Sequence, residues 1–234
     1  WLKMIALILA RSGSKGIPNK NILKLGNIRI SHYSIKAALE SSKIDMTIYS
    51  SDSNQYIELA KQFVIENFQS KKNTFKNHKR SAKAAGDNIS TWDSVIEILD
   101  DLNIKNSENV LVISASCPSI TSYDVNNFIK RCLNFSNCFS VRKNDYPIEN
   151  TFYIKNDFYV AHKLSKKING RQFSDPVYRP DGHLYLRSAK DIRAKKNFPD
   201  EETLTIDLQK KYYLNIDSDI DLELAKHILQ NGNF

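Results

Sequence analysis

Long hydrophobic runs are missing from this sequence. No apolar stretch approaches the roughly 20 residues that a membrane span needs, and the mean hydropathy is −0.46. Cysteine is scarce. The three that occur, Cys117, Cys132 and Cys138, are an odd number with no Cys-x-x-Cys pair. That pattern argues against a zinc cluster and suits a reducing compartment. The apolar stretch from Met4 to Ala10 is short and no small-residue cleavage site follows it, so no signal peptide is expected. A cytoplasmic protein with no membrane partner is the expectation. Internal repeats and low-complexity segments are absent too. Glycine is sparse, seven in 234 residues. Two of them in one short loop, Gly13 and Gly16, therefore mark a backbone with special demands.

What is present is enough for one substantial domain. Hydrophobic residues make up 41% and charged residues 26%, which supports a buried core. Lys and Arg number 34 against 26 Asp and Glu, a formal charge of +8. A basic balance suits an anionic partner: nucleic acid, a membrane surface, or a small phosphorylated or carboxylated ligand. Abundant lysine alone also accounts for much of it. The Lys-rich segment 71–83 carries no recognisable nucleic-acid motif, so no nucleic-acid partner is expected.

Along the chain, strand and helix patterns alternate. Met4 to Leu9 is a continuous apolar run of the kind that forms a parallel strand buried on both faces. Residues 31–42 read as a helix, 46–50 as a strand and 54–66 as a helix. Residues 69–89 read mainly as a loop. Ser90 and Thr91 cap a helix running to about Leu102. Residues 109–115 read as a strand, 124–133 as a helix and 138–141 as a short strand. The stretch 144–171 has scattered aromatics and weak periodicity, and looks like an excursion from the main sheet. Residues 183–187 and 212–216 read as strands and 219–230 as an amphipathic helix. The alternation predicts a three-layer αβα fold with a mostly parallel sheet.

The segment Ala10-Arg11-Ser12-Gly13-Ser14-Lys15-Gly16-Ile17-Pro18-Asn19-Lys20-Asn21 carries the strongest chemical signal. It follows the first strand, where open α/β sheets bind ligands. Its glycines permit close approach of a phosphate chain, and Arg11, Lys15 and Lys20 supply positive charge. Neither G-x-x-x-x-G-K-[ST] nor G-x-G-x-x-G is present. Chemistry alone makes it an anion-binding loop or a solvated turn with incidental charges. Ser12 and Ser14 lack a His/Asp constellation, which argues against a serine nucleophile. His32, His162 and His183 show no partner in the sequence and receive no role.

The stretch from Leu9 to Asn21 resembles the signature loop of the acylneuraminate cytidylyltransferases (CMP-N-acetylneuraminate synthetases), which activate acidic sugars. Further similarities follow in order: Ser50-Ser51-Asp52; Arg80, Asp87 and Ser90; Arg171-Gln172; Tyr178-Arg179-Pro180-Asp181-Gly182; and Asn215-Ile216-Asp217. The resemblance runs over essentially the whole chain and is weakest over 144–170. It implies a nucleotide-diphospho-sugar-transferase-like fold in one domain, residues 1–234. It implies transfer of CMP from CTP to a sialic-acid-like sugar, with Mg²⁺ or another divalent cation, in a homodimer whose contact is the 144–171 excursion.

Residue roles follow from the same resemblance. Arg11 and Lys20 would be catalytic, offsetting charge on the triphosphate. Leu9, Ala10, Arg11, Ser14, Lys20, Asn21, Arg80, Asp87 and Ser90 would bind the nucleotide. Ser114, Arg171, Gln172 and Arg179 would meet the sugar. Asp217 and Asn215 would hold the metal. Three departures stand out. Ser114 and Ile120 replace a Gln and an Arg of the family pattern after the strand at 110–113. Asp181 replaces an Asn, which sets a carboxylate near an acidic sugar unless a cation intervenes. Asn215 replaces an Asp, which removes a negative charge from the metal site. The same reaction with an unusual acceptor is one implication. A catalytically weak relative with a regulatory role is the alternative.

Overall fold

A computed structural model describes residues 3–14, 16–84, 86, 89–148, 151–156, 158–161 and 175–232. Its strands are β1 (Met4–Leu9), β2 (Lys24–Leu25), β3 (Ile28–Arg29), β4 (Met46–Ser51), β5 (Phe75–Lys79), β6 (Asn109–Ser114), β7 (Asn137–Lys143), β8 (Phe152–Lys155), β9 (Phe158–Ala161), β10 (Tyr178–Ser188) and β11 (Leu204–Asp207). The α-helices are α1 (Ile30–Glu40), α2 (Asn54–Asn67), α3 (Thr91–Asp101), α4 (Ser122–Arg131), α5 (Ala189–Arg193) and α6 (Asp219–Gln230).

Seven strands form the main sheet in the order β11-β7-β10-β6-β1-β4-β5. β1 pairs in parallel with both β4 and β6, and β10 runs antiparallel between β6 and β7. The three-layer, mostly parallel architecture is the one the strand–helix alternation implied. Alternate residues of β1 show how the layers form. Met4, Ala6 and Ile8 pack with Ile35 of α1, Ala60 of α2 and Phe128 of α4. Ile5 and Leu7 pack on the other face with Val95 and Ile98 of α3 and Ile192 of α5. A strand covered by helices on both faces has no polar position to spare, hence the unbroken apolar run.

The chain leaves β1 toward β4 but leaves β6 toward β7. Loops from neighbouring strands therefore diverge, and a crevice opens over the carboxyl ends of β1 and β6. A third cluster closes one side of it. Ile17 of the glycine-bearing loop packs there with Leu25, Ile30, Ile216, Ala225 and Ile228, so α6 is fixed to that loop.

Several elements differ from the sequence-based expectation. Residues 69–89 contain strand β5, paired in parallel with β4. Phe-Lys-Asn-His-Lys is polar because β5 is an edge strand, where charged side chains are tolerated. Residues 212–216 form no strand. Ile216 N donates to Ser116 O (2.9 Å) and Leu214 N to Ser119 Oγ (3.3 Å), so the segment lies against the loop after β6. The sheet edge beside β7 is taken by β11. The short strand expected at 183–187 is the end of an eleven-residue β10. Within 144–171, β8 and β9 pair as a separate hairpin. No helix among the described residues is long and apolar enough to cross a membrane.

Candidate active site

The loop after β1 is held open by side chains from three directions. Ser12 donates through its backbone N (2.8 Å) and its Oγ (2.7 Å) to the two carboxylate oxygens of Asp52, just past β4. Burial pushes the Asp52 carboxyl up, but these bonds and the Arg80 charge outweigh it and hold Asp52 below its ordinary value. Asn21 is buried and its Nδ2 donates to Arg11 O (3.0 Å). Asn19 adopts a left-handed conformation, φ 54°, and its Oδ1 accepts from the Tyr56 hydroxyl (3.1 Å). At Gly16 a Cβ would stand 2.3 Å from the Asp217 carbonyl oxygen. Only glycine lets the loop and the segment before α6 approach that closely.

Facing this loop is a chain of polar groups from β6 to α6. Ser114 Oγ lies 3.1 Å from Ser116 Oγ, and Ser116 Oγ donates to Asn215 Oδ1 (2.5 Å). Asn215 Nδ2 donates to Asp217 Oδ2 (2.7 Å), and Lys20 Nζ donates to Asp217 Oδ1 (2.8 Å). A cavity of about 490 Å³ lies between the two walls. That volume is in the range of small-molecule sites.

The sequence-predicted residues fall into four groups. Leu9, Arg11, Ser14, Lys20, Asn21, Ser114 and Asp217 line this one cavity. Ala10, Ser90 and Asn215 stand next to it. Ala10 is buried below the loop, Ser90 caps α3 by accepting from Asp93 N (3.1 Å), and Asn215 braces Asp217. Arg80 and Arg179 do not line it. Arg80 is buried and its Nη2 donates to Ser50 O (3.0 Å), so it is not a solvated loop cation. Arg179 is exposed on β10, opposite Arg142 of β7. Lys15, Asp87, His162, Arg171 and Gln172 lie outside the described residues.

Thr91, Ser116, Gly182 and Tyr185 also line the cavity and were missed. Their signal was position alone, next to the strand ends and caps that were recognised. The Asp52 anchor had a signal, the Ser50-Ser51-Asp52 match, but no role was attached to it.

Asp181 and His183 are the largest surprise. Both side chains are fully buried, with His183 Nδ1 3.2 Å from Asp181 Oδ1. Asp181 Oδ1 also accepts from Ser140 Oγ (2.5 Å) and His183 N (2.8 Å). Burial alone would depress His183, but the Cys117 sulfur and the Asp181 carboxylate beside it push it up to about 10. Burial raises Asp181, yet the bonds and charge of His183 and the Ser140 hydroxyl bring it below its ordinary value. Histidine 183 thus has a partner that its sequence context did not reveal. The carboxylate that stands where the resembled family has Asn is internally neutralised and does not line the cavity.

For a divalent cation, Asp217 is the carboxylate that lines the cavity among the described residues. Its side chain is 65% exposed and faces Lys20. The Asn215 oxygen is turned to Ser116, and Asp221 Oδ2 is taken by Asp217 N, Ser218 N and Ser218 Oγ. One carboxylate fits Mg²⁺, which commonly uses one or two together with substrate phosphates and water. A glycine-bearing loop with Arg11 and Lys20 and a facing carboxylate thus line one cavity at the carboxyl ends of a mostly parallel sheet, an arrangement with the room and charge for a phosphorylated ligand.

Comparison with known proteins makes the assignment narrower. Residues 5–232 match the family described as cytidylyltransferase, and the chain belongs to that family. It is 26% identical to a pseudaminic acid cytidylyltransferase of Campylobacter jejuni over 231 residues, covering 96% of this chain and 95% of that protein. It is also 26% identical to an N-acylneuraminate cytidylyltransferase of Streptococcus agalactiae over 230 residues, covering 93% of this chain but 51% of that protein. A solved CMP:2-keto-3-deoxy-manno-octonic acid synthetase complexed with CTP shares the fold at TM-score 0.70 and 12% identity, covering 98% of this chain and 99% of the other. The chain is therefore an enzyme of the nucleotidyltransferase class, as its glycine-bearing loop suggested.

Proposed function

We propose that this enzyme transfers CMP from CTP to a hydroxyl of an acidic, nine-carbon, sialic-acid-like sugar, with release of pyrophosphate. The observation that carries the proposal is the convergence of Arg11, Lys20 and Asp217 on one cavity in a chain of the cytidylyltransferase family. The names of the pseudaminic acid and N-acylneuraminate relatives support the acceptor class.

In-line displacement at the α-phosphate needs positioning and charge neutralisation more than covalent help. Arg11 and Lys20 hold the triphosphate and offset the charge that builds on the departing pyrophosphate. Backbone donors around Ser14 cradle the same chain. Leu9, Ala10 and Asn21 also serve the nucleotide, while Arg80, Asp87 and Ser90 serve its cytidine side. Ser114, Arg171, Gln172 and Arg179 serve the sugar. Asp217 would hold the divalent cation, with Asn215 beside it. When bound, Mg²⁺ supplies further charge neutralisation on the phosphate oxygens.

The excursion at 144–171 is proposed to pack against a second copy. Tyr146, Tyr153, Ile154 and Val160 are exposed there, and aromatic residues are enriched in interface cores. Sedimentation at micromolar concentration should give a dimer, and a fully active monomer would refute it. For the reaction itself, CTP is offered with a panel of sugar acids and pyrophosphate is measured. Pyrophosphate that appears only with a sugar acid supports catalysis. CTP binding without turnover on any acceptor supports the regulatory alternative, which the short Ser114 side chain and the uncharged Asn215 favour.

A further inference from the structure

We propose that His78, Glu97 and Asp101 form a binding site for a divalent transition-metal ion of the zinc class, separate from the nucleotide cavity. His78 stands on edge strand β5, while Glu97 and Asp101 stand one turn apart on α3. Their ligand atoms all lie within 4.8 Å of one another. His78 Nε2 is 2.9 Å from Asp101 Oδ2. None of the three residues lines the nucleotide cavity.

Four features favour a metal over a simple ion pair. The imidazole is 5% exposed and its Nδ1 lies 3.0 Å from Ser50 Oγ. Holding the far nitrogen fixes the ring and directs Nε2 at the cluster, as metal-ligating histidines require. Asp101 is exposed on its outer side, so an ion and its waters can enter. Among the described residues no Lys or Arg forms an ion pair with Glu97 or Asp101, and the cation acting on Glu97 is the buried Arg80. Finally, two carboxylates balance the charge of a dication, and a nitrogen donor favours zinc-class ions over Mg²⁺.

Zinc bonds to nitrogen and oxygen are about 2.0–2.2 Å, which sets ligand atoms roughly 3.3 Å apart in a tetrahedron. Closing from 4.8 Å takes a side-chain rotation of Glu97 or Asp101. Glu97 accepts from Ser81 N (2.8 Å) and Ser81 Oγ (2.5 Å), and a carboxylate keeps further lone pairs beyond two such bonds. Once seated, the ion would fasten edge strand β5 to α3. The start of α3 brings Thr91 to the nucleotide cavity, so the ion would stiffen one wall of the active site from outside.

The test uses the full chain stripped with chelator. Zn²⁺ is titrated by calorimetry, Co²⁺ by its visible absorption, and the melting temperature is followed in both. One saturable ion per chain is expected, with a rise in melting temperature. Asp101→Asn and Glu97→Gln should each weaken binding at least about tenfold while leaving the melting temperature of the stripped protein close to that of the unmodified chain. Absence of saturable binding would overturn the proposal. Equal binding by both variants would overturn it too, because the ion would then sit elsewhere. CTP turnover is measured separately, so this outcome leaves the proposed reaction untouched.

Discussion

Lys20 Nζ and Asp217 Oδ1 stand 2.8 Å apart across the cavity, although 197 residues separate them in the chain. The lysine of the loop after β1 pairs with the carboxylate proposed for the metal. Under the proposed function, a triphosphate entering the cavity would compete with Asp217 for that ammonium, and the freed carboxylate would be available to a cation. Charge-assisted contacts of this kind contribute about 1.5–3 kcal/mol each. Lys20→Ala should therefore weaken CTP binding by roughly 10- to 150-fold and cut turnover at least as far. Its fold stability should change by less than about 1 kcal/mol, because Asp217 is largely exposed and such pairs are screened. Calorimetry with CTP and a thermal melt check both. Near-normal activity in the variant would remove the loop from the site.

Asn215 braces Asp217 through its Nδ2 and turns its Oδ1 to Ser116. Asn215→Asp adds a charge beside Asp217 and should lower the Mg²⁺ concentration needed for half-maximal rate. Asp217→Ala should nearly abolish turnover. A Mg²⁺ titration of both variants decides the matter. An unchanged midpoint in the first together with an active second would leave these residues no part in metal binding.

Asp181 and His183 form a buried pair within β10, and Ser140 of β7 donates to the Asp181 carboxylate. Removing one partner of such a pair typically costs about 3–5 kcal/mol. His183→Gln should therefore melt well below the wild type, and the double variant Asp181→Asn/His183→Gln should recover much of the loss. The sign of the pH effect follows from the raised His183 value. Its contribution is full below the unfolded value of 6.5 and is lost as pH rises toward about 10. Asp181, held low, loses its contribution instead as pH falls through the acid range. The wild type should thus lose stability relative to the double variant as pH rises toward about 10, falling to it or below. Parallel curves between pH 6 and pH 10, with no such loss, would contradict the charged pair.

The sequence made the cavity-lining loop after β1 legible because two separate demands met there. A run buried on both faces ends at Leu9, and glycine and cationic residues crowd the next dozen positions. Strand β5 was hidden because an edge strand such as Phe75–Lys79 buries little and can be polar. Residues 212–216 misled in the opposite sense, since Tyr-Tyr-Leu-Asn-Ile has strand-like side chains. Its backbone partners are on the loop after β6, a relation that no local pattern encodes. The Asp181–His183 pair arises where β10 shifts register between Pro180 and Tyr185. A bulge of that kind re-aims side chains, and strict alternation cannot anticipate it.

Asp52 receives two hydrogen bonds from Ser12 and is held below its ordinary value. Asp52→Ala frees the start of the loop, while Asp52→Asn keeps one acceptor for the Ser12 donors. The expected order of CTP affinity is wild type, then Asn, then Ala, with the Ala variant down by about tenfold or more, as for a lost charge-assisted bond. Equal affinities across the three would mean that the loop holds its shape without this anchor.

Gly16 and Gly13 offer a controlled comparison within one loop. A Cβ at Gly16 would meet the Asp217 carbonyl oxygen at 2.3 Å, whereas a Cβ at Gly13 would meet nothing within 4 Å. Neither glycine is among those with positive φ, so the difference between them is contact and not backbone strain. The obstructing atom at Gly16 is main chain and cannot rotate away. Gly16→Ala must push the loop and the Asp217 segment apart, and forced overpacking of this kind costs about 1–3 kcal/mol. The displacement also separates Lys20 from Asp217, so CTP affinity and turnover should fall together with stability. Gly13→Ala should fold and turn over close to wild type. Thermal melts and CTP titrations of the two variants test this. If Gly16→Ala behaves like Gly13→Ala, the loop does not rest against the segment before α6, and the cavity has a different wall.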